Sequence, residues 1–299
     1  MKPLRYFRRT SYCLLLMIAS SVQAAPWPAL SQSLSPLIDK ARENGVRMSI
    51  GVLDLRDSQD DPRTVVLGSA ESYPPASTVK MLLVSALMEQ VDAGKLSLRD
   101  LALVEADDIV GGFGVVQNEP TPQELPVERL AELMITISDN TATNVLVDVV
   151  GIEAMADLAA RLELSDLQFA RKMFGTPNPP TVENYITAAD TLVLLQAIYN
   201  GSFLSPSSRQ QILDWMLAQT VKTKIGAGVP AGTVIAHKTG ENGPVSHDIG
   251  YILLPGKELA IAIFTETSTT TDFDAAQAQL NPMVAEVAGQ VVRYLQTAP

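Results

Sequence analysis

Ser77 and Lys80 are the first residues along the chain whose types and spacing suggest catalysis. They stand three positions apart, where an apolar helix is predicted to begin near Met81. Residues three apart in a helix share a face, so the hydroxyl and the amine are expected within hydrogen-bond reach. A serine becomes a good nucleophile when a base takes its proton, and a lysine can act so when burial and nearby cations lower its pKa. Taken alone, however, a serine that merely caps the helix is the better interpretation.

Two further short motifs follow in a fixed order along the chain. A Ser-Asp-Asn sequence occupies Ser138–Asn140, between two predicted apolar helices, and a Lys-Thr-Gly sequence occupies Lys238–Gly240, at the end of a predicted strand. Each alone is typical of ordinary structure, the first of a helix cap and the second of a strand that ends before a turn. Together with Ser77 and Lys80, they predict a shared pocket in which lysines and hydroxyls let one serine oxygen attack a carbonyl.

This set of three motifs resembles the serine penicillin-recognising enzymes, specifically the class A β-lactamases and their close relatives, whose signature is S-x-x-K, S-D-N and K-T-G in that order. The resemblance covers nearly all of the chain after its first residues. It implies the β-lactamase/transpeptidase type of fold and an acyl-transfer site that works without a metal or an organic cofactor.

The resemblance assigns a role to each residue of the motifs. Ser77 is the acylated nucleophile, Lys80 its proton acceptor, and Ser138 the hydroxyl that relays a proton to the leaving nitrogen. Asn140 binds the amide side chain of the substrate.

The resemblance also implies that the Lys-Thr-Gly motif binds the rest of the substrate. Lys238 and Thr239 hold the substrate carboxylate, and Lys238 also favours the neutral form of Lys80. Gly240 lets the substrate backbone pass closely. The oxyanion hole is formed by the backbone N–H groups of Ser77 and Glu241.

The deacylating carboxylate of that family is missing from its usual place in this sequence. The family carries it in an R-x-E-x-x-L-N sequence after the S-D-N helices, whereas Arg171-Lys172-Met173 places Met173 at the position of the glutamate. Glu183, at the other end of a proline-rich stretch, is an alternative base for the hydrolytic water. The simpler interpretation is that Glu183 caps the following helix.

Glu241 is a second departure, because the family usually has a small side chain there. A carboxylate beside the site for a substrate carboxylate is expected to repel it unless it turns to solvent or is protonated. We therefore expect weaker affinity for ordinary penicillins.

The elements around these motifs are predicted from hydrophobic periodicity. Five strands in two groups, near both ends of the chain, flank a helical middle, which indicates an α/β (α+β) fold with a five-stranded antiparallel sheet, flanking helices and an inserted all-helical domain. The predicted sheet domain comprises residues 25–75 and 205–299, and the predicted all-helical domain comprises residues 76–204. The predicted strands are 46–52, 63–68, 233–238, 247–254 and 259–265.

Composition narrows the classes of function. The 299 residues are 46% apolar and 18% charged, as in globular proteins, and the formal net charge of −11 argues against nucleic-acid binding. Residues 1–24 have a basic start, a short apolar run and a small-x-small end, which predicts a cleaved signal peptide, an exported protein that is periplasmic or secreted, and no stable membrane insertion. This segment contains Cys13, the only cysteine. His237 and His247 are interpreted as structural, and no metal site is expected.

Three functions remain open at this point. The first is a monomeric β-lactamase that opens β-lactam amides through a Ser77 acyl-enzyme. The second is a D-alanyl-D-alanine peptidase or penicillin-binding protein that acts on a peptidoglycan peptide with slow turnover, which Met173 favours. The third is a non-catalytic cell-wall binding module, which Glu241 favours.

Overall fold

The computed structural model describes residues 25–56, 63–175 and 183–297. The predicted signal peptide at residues 1–24 lies outside these ranges. Within them, no helix combines the length and the hydrophobicity that are needed to cross a bilayer.

One mixed sheet forms the centre of the protein. Its strands are β1 Ala25–Pro26, β2 Val46–Asp54, β3 Arg63–Gly68, β6 Ile235–Glu241, β7 Val245–Ile252 and β8 Leu259–Thr267. The five long strands are antiparallel neighbours in the order β3-β2-β8-β7-β6, which confirms the predicted five-stranded sheet. The two-residue strand β1 also pairs with β3 in parallel at one edge.

The Lys-Thr-Gly motif lies inside β6, whereas the sequence predicts it at the end of a strand. The predicted strand stops at Lys238, but pairing with β7 continues through Gly240 to Glu241, which lies opposite Ser246. Cross-strand pairing therefore extends the strand past the turn-forming glycine. The motif is thereby held at the free edge of the sheet, since β6 is the last strand.

Helices cover both faces of the sheet. On one face, α1 (Pro28–Glu43) and α9 (Phe273–Thr297) bury a core that includes Leu30, Ile261 and Val287. The opposite face packs against the middle of the chain, in a second core. The helices of that segment are α2 Lys80–Asp92, α3 Val127–Thr136, α4 Asn140–Val150, α5 Ile152–Arg161, α6 Ala188–Asn200 and α7 Pro206–Leu217.

The middle segment is not purely helical, so the predicted all-helical composition of residues 76–204 is wrong in one respect. Strands β4 (Leu101–Val104) and β5 (Gln123–Pro126) form a separate two-stranded antiparallel sheet. In β4 the burial alternates, with Ala102 and Val104 inside and their neighbours exposed, which is the pattern of a half-buried strand. Four residues are too few for that alternation to stand out in the sequence. The domain boundaries themselves stay a prediction, and α7, just after the boundary at 205, contacts both β6 and α2.

A short helix α8 (Ile225–Gly228) packs against α9 and follows directly after Lys224. A Cβ atom at Gly228 would overlap the backbone carbonyl of Ala285 in α9, so only glycine fits this crossing. The crossing fixes α8, and with it Lys224, against the long helix.

We predict that Gly228→Ala lowers the free energy of unfolding by about 1–3 kcal/mol, because the added methyl group forces α8 and α9 apart. Urea denaturation followed by circular dichroism measures this change. Gly111→Ala is the matched control, since its Cβ would meet no atom within 4 Å; its effect should stay within about 0.5 kcal/mol. Equal effects of the two substitutions would contradict the prediction.

Candidate active site

Ser77 lies on a tight turn that leads into α2. The turn is a 3₁₀ helix, Ala76–Val79, and Ala76 has a positive φ of 46°, a conformation that costs about 1–3 kcal/mol for a residue with a side chain. The Thr78 hydroxyl donates to the Pro75 carbonyl at 2.7 Å and holds the turn closed. Because Ser77 is in the first turn, its backbone N–H has no partner within the helix.

His247 supports this turn from β7. Burial lowers its pKa to about 4, so the ring is neutral at neutral pH. Nδ1 accepts from the Thr265 N–H at 3.2 Å, and Nε2 therefore carries the proton and donates to the Pro74 carbonyl at 2.9 Å. Both ring nitrogens are occupied by the fold, as the structural interpretation of this histidine predicts.

Lys80 is completely buried, and its ammonium points to the Ser-Asp-Asn segment. It donates to the Ser138 carbonyl at 2.8 Å, to Ser138 Oγ at 3.2 Å and to Asn140 Oδ1 at 2.9 Å. Burial first, and then the charge of Lys238, place the pKa of Lys80 well below its usual range. The predicted direct hydrogen bond from Ser77 to Lys80 is not among the contacts of the described residues, because these three acceptors take the ammonium.

Ser138 joins the two lysines. Lys238 Nζ donates to Ser138 Oγ at 3.1 Å and to the Thr239 carbonyl at 2.8 Å, so one hydroxyl contacts both amines. Ser138 has a φ of 62°, a conformation that non-glycine residues adopt rarely and that clusters at functional sites. The motifs that the sequence places far apart therefore meet at this oxygen.

Asp139, which the sequence analysis treats only as a cap, ties the motif to a neighbouring loop. Oδ1 accepts from the Ala142 N–H at 2.9 Å and caps α4, while Oδ2 accepts from the N–H groups of Val115 and Val116 at 2.7 and 2.9 Å. Asn140 N–H also donates to the Phe113 carbonyl at 3.0 Å. The glycine-rich stretch before Val115 is thus fixed against the site.

Gly240 is required by the protein itself. A Cβ there would lie 2.8 Å from the Pro75 carbonyl oxygen and 2.9 Å from Thr78 Cγ2, so β6 packs directly on the turn of the nucleophile. The family resemblance implies that this glycine lets the substrate pass, whereas the contact that requires it here is intramolecular. Asn242 N–H donates to Val245 on β7, and by the alternation of an antiparallel pair the Glu241 N–H points to the free edge.

A cleft of ≈ 590 Å³ opens above these residues. Ser77, Asn140, Met173 and Glu241 line it, together with residues of the glycine-rich loop. A separate groove of ≈ 660 Å³ lies between the end of α1 and strands β2 and β8. The cleft holds the candidate nucleophile, so it is the candidate active site.

Met173 is held at the wall of the cleft by its backbone. The Asn144 side chain accepts from the Met173 N–H at 2.8 Å and donates to its carbonyl at 3.1 Å. Glu183 also lines the cleft, where Oε2 accepts from Arg171 Nε at 2.6 Å. Glu183 does not cap α6, because the cap is Thr187, whose hydroxyl accepts from the Asp190 N–H. The proline-rich stretch 176–182 lies outside the described residues.

Glu241 pairs with Lys224, a residue that the sequence analysis does not single out. The Lys224 side chain has no exposed surface and that of Glu241 is only 10% exposed. The next residue, Ile225, donates its N–H to Asp248 Oδ2 at 3.1 Å, and His237 Nδ1 lies 2.9 Å from Asp248 Oδ1. Lys224 stands in a polar loop without periodicity, so only the folded structure shows that it pairs with Glu241 behind the cleft.

The chain matches the Beta-lactamase enzyme family over residues 29–295. It belongs to that family. Within the family it is of the class A β-lactamase type and is also similar to PBP-A, so it is a serine hydrolase of the β-lactamase family.

Individual relatives of the family agree with this assignment. The extended-spectrum beta-lactamase PER-1 of Pseudomonas aeruginosa is 26% identical over 280 residues, which are 87% of this chain and 87% of that protein. The structure of PBP-A has a TM-score of 0.80 at 26% identity and covers 91% of this chain and 98% of its own. A beta-lactamase from Sphaerobacter thermophilus has a TM-score of 0.79 at 30% identity, with 90% and 98% covered. A mutant of PBP-A is known as an acyl-enzyme complex with penicillin G.

Burial lowers the pKa of both lysines in the family motifs, Lys80 and Lys238. Burial lowers the pKa of Lys238 to about 7, while Glu241 and Asp248 raise it and Lys224 lowers it further. The pKa of Lys80 lies well below its usual range, first because of burial and then because of the charge of Lys238. With a pKa of about 7, Lys238 loses its charge as the pH rises through neutrality.

We predict that the acylation rate of Ser77 falls as pH rises above about 7, because Lys238 loses the ammonium that faces Ser138. In Lys238→Arg the guanidinium keeps its charge at every accessible pH, so this alkaline limb should be absent below about pH 10. The measurement is a pH profile of the acylation rate constant of folded protein. Lys40→Arg, at an exposed ion pair, is the control and should keep the limb. If the alkaline limb persists in Lys238→Arg, another group is responsible for it and the prediction is wrong.

Proposed function

We propose that this protein is an exported enzyme that opens the amide of β-lactams through a Ser77 acyl-enzyme and releases the product slowly. The observation that supports it most directly is the hydroxyl of Ser138 between Lys80 and Lys238, beside a cleft that Ser77 lines. Family membership and the penicillin G complex of PBP-A agree with the same chemistry. Export rests on the predicted signal peptide at residues 1–24.

The proposed acylation uses groups of this chain alone. Neutral Lys80 takes the proton of the Ser77 hydroxyl as its oxygen attacks the β-lactam carbonyl. The backbone N–H groups of Ser77 and Glu241 stabilise the oxyanion, and loss of one such donor typically costs about 10²–10³ in rate. As the C–N bond breaks, Ser138 passes its proton to the leaving nitrogen and takes the proton that Lys80 removed from Ser77, through its contact with Lys80. The Lys238 ammonium donates to the same oxygen and stabilises negative charge on it. Asn140 and Thr239 position the substrate.

The proposed slow release follows from the wall of the cleft. Hydrolysis of the ester between Ser77 and the substrate needs a base that activates water. We propose that Met173 stands where related enzymes carry this carboxylate. Glu183 lies on the same cleft, but its Oε2 accepts a hydrogen bond from Arg171 Nε at 2.6 Å, so this oxygen is already engaged.

A D-alanyl-D-alanine peptidase, or a penicillin-binding protein, is the second candidate. It shares the acylation step and is favoured by Met173 and by the likeness to PBP-A. The two candidates differ in the lifetime of the penicillin adduct and in whether a D-alanyl-D-alanine peptide is cleaved.

We predict that benzylpenicillin adds its own mass once to the intact protein, and that Ser77→Ala abolishes this adduct, because Ser77 alone carries a hydroxyl among the described residues that line the cleft. Intact-mass spectrometry after mixing gives the result directly. Ser69→Ala, in the separate groove, should retain the adduct. Failure of any penicillin to acylate wild-type Ser77 would defeat the proposed function.

We predict that Met173→Glu shortens the lifetime of that adduct by about 10²-fold or more, since a carboxylate at this wall can activate water. The return of the free protein mass over time is the measurement. Met173→Gln has the same size without the basic oxygen and should leave the lifetime unchanged.

Two outcomes would contradict the assignment of Met173. In the first, Met173→Glu is as long-lived as the wild type. In the second, Glu183→Gln prolongs the wild-type adduct, which would identify Glu183 as the working base.

A further inference from the structure

The side chains of Glu241 and Lys224 pair at the cleft, and neither side chain takes part in the proposed acylation steps. Glu241 lines the cleft, whereas Lys224 lies behind it without exposed surface. Any anion that enters the cleft can therefore reach the Lys224 ammonium only if Glu241 moves aside. This places a negative side chain between the substrate and a buried cation.

The position of Lys224 is built by the surrounding structure. Asp248 fixes the start of α8 through the Ile225 N–H and is itself held by His237. The side chains of Lys224, His237 and Asp248 are all fully buried. The crossing of Gly228 with α9 fixes the other end of α8. A long lysine held this way cannot easily follow a moving partner, so Glu241 is the mobile member of the pair.

Burial makes the pairing strong. A buried ammonium needs a counter-charge, and removal of one partner of a buried pair is costly. Glu241 satisfies Lys224 within the protein, in the absence of any substrate. A substrate carboxylate in this region therefore finds Lys224 already neutralised and is repelled by the negative charge of Glu241.

We propose that Glu241 is a built-in counter-ion that occupies Lys224, and that it makes the cleft select acyl donors without a carboxylate next to the reacting amide. The inference rests on the proposed function and concerns the substrate class of the same site. An ester or another uncharged group in place of the carboxylate avoids the competition with Glu241. Glu241 and Lys224 are thus specificity-determining residues.

The test compares benzylpenicillin with its methyl ester, which differ only in that charge. Acylation rate constants are measured by intact mass on the full chain at about pH 6, below the pKa of Lys238. Wild-type protein should react with the ester at least as fast as with the acid. Glu241→Gln should raise the ratio of the acid rate to the ester rate by at least about tenfold, since Lys224 becomes free to bind the carboxylate. The ratio cancels the effect of the lost Glu241 charge on Lys238, which both substrates share.

A double variant separates occupation of Lys224 from simple repulsion. Lys224→Gln with Glu241→Gln removes both charges, so its acid-to-ester ratio should stay within about threefold of the wild type. If the gain of Glu241→Gln persists in the double variant, Lys224 is not the cation involved and the inference is wrong. Glu286→Gln, which breaks the exposed pair with Lys40, is the control for net charge and should leave the ratio unchanged.

Lys224→Gln provides an independent measurement if Glu241→Gln does not fold. It leaves Glu241 unpaired at the cleft, and the acid-to-ester ratio should fall by at least about tenfold. If these variants form adducts with an unchanged acid-to-ester ratio, the inference is wrong and the proposed function still stands. Absence of any Ser77 adduct with either compound, in wild type and variants, overturns the proposed function and this inference with it.

Discussion

Lys80 and Lys238 reach the same hydroxyl oxygen of Ser138, and both ammonium groups are completely buried. Two full charges this close in a medium of low polarity oppose each other, which disfavours protonation of both lysines at once. The charge of Lys238 lowers the pKa of Lys80, in keeping with the role of Lys80 as the proposed base, while Lys238 has a pKa of about 7. The division of roles between chemically identical side chains therefore depends on this one shared contact, and the backbone around it exists to hold the contact in place.

Three distant segments maintain that contact by holding the backbone around it. Asp139 joins the Ser138 turn to the loop at Val115, His247 holds Pro74 beside the nucleophile, and β6 packs on the Ser77 turn because Gly240 has no side chain. Backbone contacts of this kind leave little freedom for the side chains they carry. The positive φ of Ala76 and of Ser138 is stabilised by the same packing, so local strain coexists with a rigid site.

The sequence predicts those parts of the molecule that depend on short-range patterns. Alternation predicts the five strands, and helical spacing predicts the helices. The motifs around Ser77, Ser138 and Lys238 predict most of the candidate site. Lys224 could not be predicted, since only tertiary packing brings a loop lysine to Glu241. The strand β4 is too short for its alternation to be recognised, and the extension of β6 to Glu241 depends on pairing with β7. The contact that requires Gly240 likewise comes from a residue more than a hundred positions away in the chain.

Glu241 links the binding of anionic substrates to the protonation state of Lys238. Lys224 lowers the pKa of Lys238, and Glu241 raises it by a larger amount, so the pair as a whole favours the protonated form of Lys238. The carboxylate that competes with an anionic substrate therefore also sustains the ammonium that contacts Ser138. A small neutral residue at this position would free Lys224 to bind an anion, but Lys238 would then lose its proton at lower pH. Selectivity for uncharged groups and protonation of Lys238 near neutral pH are consequences of the same side chain, and neither can change without the other.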